Sequence, residues 1–107
     1  MKYLLDTNIC VYLLNGNAAL KKRVAKGEIV EFVIQYEIFA DGRWHPVVRY
    51  DTHHGYAHQD LLHPNGSKVK TPLIFQDFNF CLTYAEHDLR TNWRNYRNKY
   101  LKELGKI

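Results

Sequence analysis

Cysteine is scarce in this chain. Of 107 residues only Cys10 and Cys81 are cysteine, far apart and in no metal-type spacing. That argues against a disulfide framework and predicts two reduced, mostly buried thiols. A long apolar run is also missing. Residues 3–14 are apolar, but Asp6, Thr7 and Asn8 interrupt them, well short of the roughly 18 residues of a membrane span. The basic, apolar and small-residue regions of a secretory signal are absent as well. These absences predict a cytoplasmic protein with no membrane partner.

A hydrophobic content of 46% and 15 aromatic residues are enough for one domain with a real core. The net charge of +4 is unevenly placed. Residues 1–27 carry five Lys/Arg against one Asp, residues 28–63 carry two against six acids, and residues 64–107 carry eight against four. Basic flanks attract a polyanion, and an acidic centre suits a cation or a proton-transfer site.

The densest chemistry lies between Arg49 and Gly66. This stretch holds four of the six histidines (His53, His54, His58 and His63), together with Arg49, Asp51 and Asp60. Upstream, Glu28 to Phe39 alternates with period two, and Val30, Phe32, Ile34, Tyr36 and Ile38 share one face. This predicts a strand. Asp41-Gly42 marks a turn, and Arg43 to Asp51 a second strand. A three-residue loop with Gly42 as the bulge residue places Trp44, Pro46, Val48 and Tyr50 on the apolar face. His45, Arg49 and Asp51 then join Glu31 and Glu37 on the other face. Tyr56 to Leu62 reads as a third strand that returns His58 beside Arg49 and Asp51, and residues 68–76 read as a connector with a short strand at 73–75.

Three readings of the histidine stretch stay open. His54 or His58 acts as general acid or base, with Asp51 orienting it and Arg49 gripping a phosphate, since imidazoles titrate near neutrality and guanidinium donates a planar fork. Alternatively two or three of the histidines join Asp51 or Asp60 around a transition metal. In the third reading the stretch is structural.

The N-terminus reads as a strand at Tyr3–Leu5, caps at Asp6-Thr7-Asn8, an apolar helix at Ile9–Leu14 and a second helical stretch at Ala18–Ala25. With Leu5-Asp6-Thr7-Asn8, residues 1–27 resemble the start of PIN-domain endoribonucleases of the VapC toxin type. The resemblance implies that Asp6 is the first of several carboxylates holding Mg²⁺ or Mn²⁺. The later acids of that family are not found past residue 27, so residues 1–27 read as a PIN-like fragment ahead of residues 28–107. Apart from that resemblance no cofactor is expected. Residues 32–104 resemble small prokaryotic proteins with an Arg-Tyr-Asp…His-Gly…His motif, here Arg49, Tyr50, Asp51, His54, Gly55 and His58. The arrangement is similar, more loosely, to TumE-like toxins.

At the C-terminus, Phe78, Leu82, Ala85, Leu89, Trp93, Tyr96, Tyr100 and Leu104 step by three or four, which predicts one long helix, capped by Asp77 and ended by Gly105. Its length suggests that part of it packs on a second copy in a homodimer. Arg90, Arg94 and Arg97 form a basic row that could contact nucleic acid, with Trp93, Tyr96 and Tyr100 between them able to stack on bases. The alternative is a solvated cationic face over a buried aromatic stripe.

The expected fold is α+β: an N-terminal strand–helix piece, a mainly antiparallel three- or four-stranded sheet, and the long helix on its apolar face. The expected function is a toxin-like endoribonuclease using Arg49, Asp51, His54 and His58, with RNA and an antitoxin protein as partners. The alternative is a non-catalytic binding or oligomerisation module with a structural histidine motif.

Overall fold

The computed structural model describes residues 6–12, through their backbone, and residues 17–107. Six strands and one long helix follow in order: β1 (Asp6–Tyr12), β2 (Ala18–Ala25), β3 (Glu28–Ala40), β4 (Arg43–Asp51), β5 (His58–Leu62), β6 (Lys68–Pro72) and α1 (Phe78–Glu103). A short 3₁₀ turn, His53–Gly55, joins β4 to β5. Each strand pairs antiparallel with its neighbour in sequence, so the sheet runs β1-β2-β3-β4-β5-β6. This is the expected α+β class, with six strands rather than three or four. No helix among the described residues is long and apolar enough to cross a membrane.

The N-terminal strand–helix reading is corrected to a hairpin. Ile9–Tyr12 belongs to β1, and Ala18–Ala25 is a strand paired with both β1 and β3. The expected strand at Tyr3–Leu5 lies outside the described residues. The apolar positions of residues 18–25 are too few to separate the two periods. An open edge on β3 decides the matter: Ala18 and Leu20 turn into the core, while Ala19, Lys21 and Arg23 face out. Lys26-Gly27 is a two-residue turn with left-handed φ of 52° and 77°.

The hairpin of β3 and β4 also differs from expectation. Its turn is the two-residue Asp41-Gly42, with φ of 54° and 76°, the left-handed pair that suits a tight hairpin. His45 therefore sits opposite Ile38 and Trp44 opposite Phe39. A bulge at Val47 then shifts the register, so that Val48 faces Tyr36 and Tyr50 faces Ile34. Val48 and Tyr50 point inward as expected. The tip is inverted: His45 is 3% exposed and Trp44 51%. The His45 Nε2–H donates to the Ala40 carbonyl oxygen at 2.9 Å, and Tyr100 Oη lies 3.4 Å from Nδ1. Pro46 stands beside the bulge, where its missing N–H costs no regular ladder bond.

β6 is the strand at 68–72, in place of the one expected at 73–75, and all five of its residues are exposed. Helix α1 has the expected boundaries. The Asp77 carboxylate accepts from Phe80 N at 2.9 Å, satisfying one free amide of the first turn. At the other end Lys106 N donates to Leu101 O and Gly105 N to Lys102 O, a Schellman closure that uses the positive φ of Gly105. The helix is about 39 Å long at 1.5 Å per residue. Leu82, Ala85, Leu89 and Tyr100 pack on Phe32, Ile34, Tyr36, Val48 and Tyr50 in one core. Each large apolar side chain there contributes about 1.5–3 kcal/mol through burial. Cys81 is a buried free thiol, as expected, while the side chain of Cys10 lies outside the described residues.

One acid enters this core. Asp88, on the inner face of α1, accepts from Tyr50 Oη, from Tyr96 Oη at 2.6 Å and from Gln59 Nε2 at 3.3 Å, while Asn92 Nδ2 donates to its other oxygen at 2.8 Å. Burial first, then the hydrogen bond to Asp88, pushes the Tyr96 hydroxyl up from 10.0 to about 12, and raises that of Tyr50 as well. The unfolded chain loses these protons near pH 10 while the folded chain keeps them. The contribution of Tyr96 to stability is therefore complete below about pH 10 and is lost as pH rises through its folded value near 12. Thermal melts across this window should show the melting temperature falling above about pH 10, and falling less steeply in Tyr96→Phe. An equal slope in the variant would contradict the assignment.

Candidate functional site

The motif splits across the two faces of the sheet. Tyr50 points inward to Asp88, whereas Arg49 and Asp51 point outward. Pairing of β4 with β5 sets Asp51 opposite His58 and Arg49 opposite Asp60. His58 Nε2 comes within 2.7 Å of Asp51 Oδ1, and His58 Nδ1 within 3.4 Å of Asp60 Oδ1. These contacts are close but poorly aimed. Neither meets the direction of a hydrogen bond, so both ring nitrogens and Asp60 Oδ1 are buried without such a partner. The three residues are 5%, 2% and 3% exposed respectively, and the Tyr56 ring lies 5.2 Å from the His58 ring. Their ligating atoms all fall within 4.8 Å of one another.

Of the four residues expected to carry catalysis, the structure brings Asp51 and His58 together and leaves the other two apart. Arg49 spends Nε and Nη2 on Gln35 Oε1, at 2.8 and 2.6 Å. His54 is exposed on the 3₁₀ turn in a left-handed conformation, φ 71°, with its ring 4.2 Å from that of His53. His63 ties β5 to the end of α1 through Glu103 at 3.0 Å. The Asp6 side chain, and with it the Mg²⁺ or Mn²⁺ expectation, lies outside the described residues.

The helical basic row is partly engaged. Arg90 lies 3.7 Å from Glu86, Arg94 sits over the Trp93 ring at 5.1 Å, and Arg97 is half-buried and donates to Asn98. Tyr96 and Tyr100 pack into the core, so they belong to the helix–sheet interface and are not free to stack on bases.

An open cleft of about 320 Å³ lies beside the outward cluster, lined by Lys21, Lys22, Arg23, Glu31, Thr52 and His53 among others. Its basic wall is the Lys21-Lys22-Arg23 run of β2, held against β3 with Arg23 opposite Glu31. Arg23 Nη1 donates to Glu31 Oε1 at 2.7 Å. Its other wall is fixed by Thr52, whose N donates to Phe32 O at 3.2 Å and whose Oγ1 accepts from Phe32 N at 3.1 Å. His53 N donates to Asp51 Oδ1 at 3.0 Å. The start of the 3₁₀ turn is thus pinned to both β3 and the buried acid, which sets the exposed His53 at the cleft. Lys21 and Arg23 share the outward face with Glu31, Lys22 lies between them on the other face of the strand, and the His53 imidazole completes the lining.

Sequence reasoning missed His53, Lys21, Lys22 and Glu31 as one site. The available signal was the basic run at 21–23, which a helical reading of residues 18–25 turned away from β3.

Searches of curated proteins and of solved structures find no match. One family model matches residues 11–106, running from β1 to the end of the helix and across the boundary expected at residue 27. With nearly the whole chain covered, the protein belongs to the family described as "Domain of unknown function (DUF7718)".

Proposed function

We propose that this protein acts on RNA, binding the phosphate backbone in the cleft of Lys21, Lys22 and Arg23 and cleaving it through the 2′-hydroxyl. The carrying observation is the cleft itself, because it gathers cations, a carboxylate and an exposed imidazole in an open volume of about 320 Å³, within the range of small-ligand sites. The lysines and Arg23 offset charge on the phosphate. Glu31 takes the 2′-proton as O2′ attacks phosphorus. His53 gives a proton to the departing 5′-oxygen as the P–O5′ bond breaks. The products are a 2′,3′-cyclic phosphate and a 5′-hydroxyl, and the step needs no metal. The test uses an RNA oligonucleotide and its counterpart with a single 2′-deoxy residue at the cleaved position. Cleavage of the first with a cyclic phosphate end, and none at the modified position, is the expected result. Cleavage at the deoxy residue would sink the mechanism.

A second reading is favoured by the deep burial of Asp51, His58 and Asp60: a non-catalytic RNA-binding module whose histidine motif is internal. It predicts salt-dependent binding with intact RNA recovered from every incubation.

A further inference from the structure

We propose that Asp51, His58 and Asp60 hold one divalent transition-metal ion, of which Zn²⁺ is the best chemical match, between β4 and β5. Four observations converge. The ligating atoms lie within 4.8 Å of one another, so small side-chain rotations would bring all three to the roughly 2.0–2.2 Å of zinc–nitrogen and zinc–oxygen bonds. Both His58 nitrogens and Asp60 Oδ1 are buried with no hydrogen bond to satisfy them, a costly arrangement for polar atoms that bind nothing; an ion would take one of the nitrogens and the carboxylate oxygen. The 2.7 Å contact of His58 Nε2 with Asp51 Oδ1 is short yet misdirected. Neither group therefore satisfies the other.

Charge supplies the fourth observation. Two carboxylates are buried beside an imidazole that can carry at most one positive charge. Arg49, the cation facing Asp60 across the ladder, is turned to Gln35. On the other side Lys70 pairs with Asp60 in register but is exposed. A divalent ion neutralises the pair of carboxylates from within. One nitrogen and two oxygens form a mixed set that suits zinc-like ions better than a hard cation such as Mg²⁺, which prefers oxygen and keeps its waters.

The ion would sit beneath the proposed RNA cleft rather than in it. Asp51 Oδ1 also accepts the His53 amide, so metal binding would stiffen the turn that carries His53. Metal binding is measured without RNA, so failure of the RNA reading leaves this inference standing, and the reverse.

The test is titration of chelator-treated, dialysed protein with Zn²⁺ and with Co²⁺, followed by X-ray absorption of the bound ion. The expected result is one ion per chain, coordinated by one imidazole nitrogen and by carboxylate oxygens, and a higher melting temperature. His58→Asn and Asp60→Asn should each weaken binding more than about 100-fold, beyond the usual effect of changing a residue that only supports a ligand. His53→Ala and His54→Ala should leave binding unchanged. No binding by the folded wild-type protein would overturn the proposal, as would two or more imidazoles around the ion. If either asparagine variant fails to fold, the wild-type absorption spectrum decides the ligand set by itself.

Discussion

Asp88→Ala should lower the melting temperature by roughly 12 °C or more, the largest stability loss expected from any single polar substitution among the described residues. Its carboxylate receives hydrogen bonds from Tyr50, Tyr96, Gln59 and Asn92. Removal strands these donors at the junction of α1 with β4 and β5, where Tyr50 is fully buried. Leaving one buried donor unsatisfied costs about 1–3 kcal/mol. Some hydroxyls will re-pair, so a net loss of about 3 kcal/mol is reasonable, and each kcal/mol moves the midpoint by about 4–8 °C in a domain of this size. Asp88→Asn should fall between, because an amide offers one acceptor and places its own donors against those of its neighbours. Thermal unfolding followed by circular dichroism checks both. A fall of less than about 4 °C for Asp88→Ala would mean that water or a partner rearrangement satisfies the cluster, and that the acid is not what fastens the helix.

His53→Ala should slow RNA cleavage by about 10²- to 10⁴-fold, the usual contribution of a positioned acid or base. At 1.36 kcal/mol per tenfold, that is about 2.7–5.4 kcal/mol of barrier. His54→Ala should leave the rate unchanged, although the two rings lie 4.2 Å apart, because His54 does not line the cleft. Lys21→Ala and Lys22→Ala should act differently, weakening binding and lowering its salt dependence by about one released ion for each phosphate no longer neutralised. The informative contrast is His58→Ala. If it abolishes cleavage while His53→Ala does not, in a protein with unchanged circular dichroism, the chemistry belongs to the buried cluster and the cleft assignment fails.

The sequence made the C-terminal half of the fold legible and hid the N-terminal half. Helix α1 announces itself through eight apolar positions at helical spacing, an Asp cap and a terminal Gly. The β3 alternation is equally plain. Residues 18–25 are not, because Ala, Leu and Val at these positions fit either period and only the presence of β3 selects a strand. The hairpin is instructive in a narrower way. A register argument correctly required Val48 and Tyr50 inside and Arg49 and Asp51 outside. It assigned the correction to a longer loop, whereas the chain keeps a tight Asp41-Gly42 turn and corrects itself at Val47. The face of the motif was therefore right and the face of His45 wrong. The closeness of Asp51 to His58 was readable as a meander. What was not readable is that the 3₁₀ turn splits adjacent histidines, placing His53 at the cleft and His54 outside it.

The open end of the sheet bears on how this protein behaves in a crowd. β6 exposes its whole length, and its outer backbone edge is a template onto which another strand could add. If two copies met there antiparallel about Val69, Lys68 of each would face Lys70 of the other, like charges directly opposed across a ladder. Pro72 removes one donor at the strand's end. The same five residues that add nothing to the core thus act as a fence: they let the sheet end in water without growing into a fibre of its own copies.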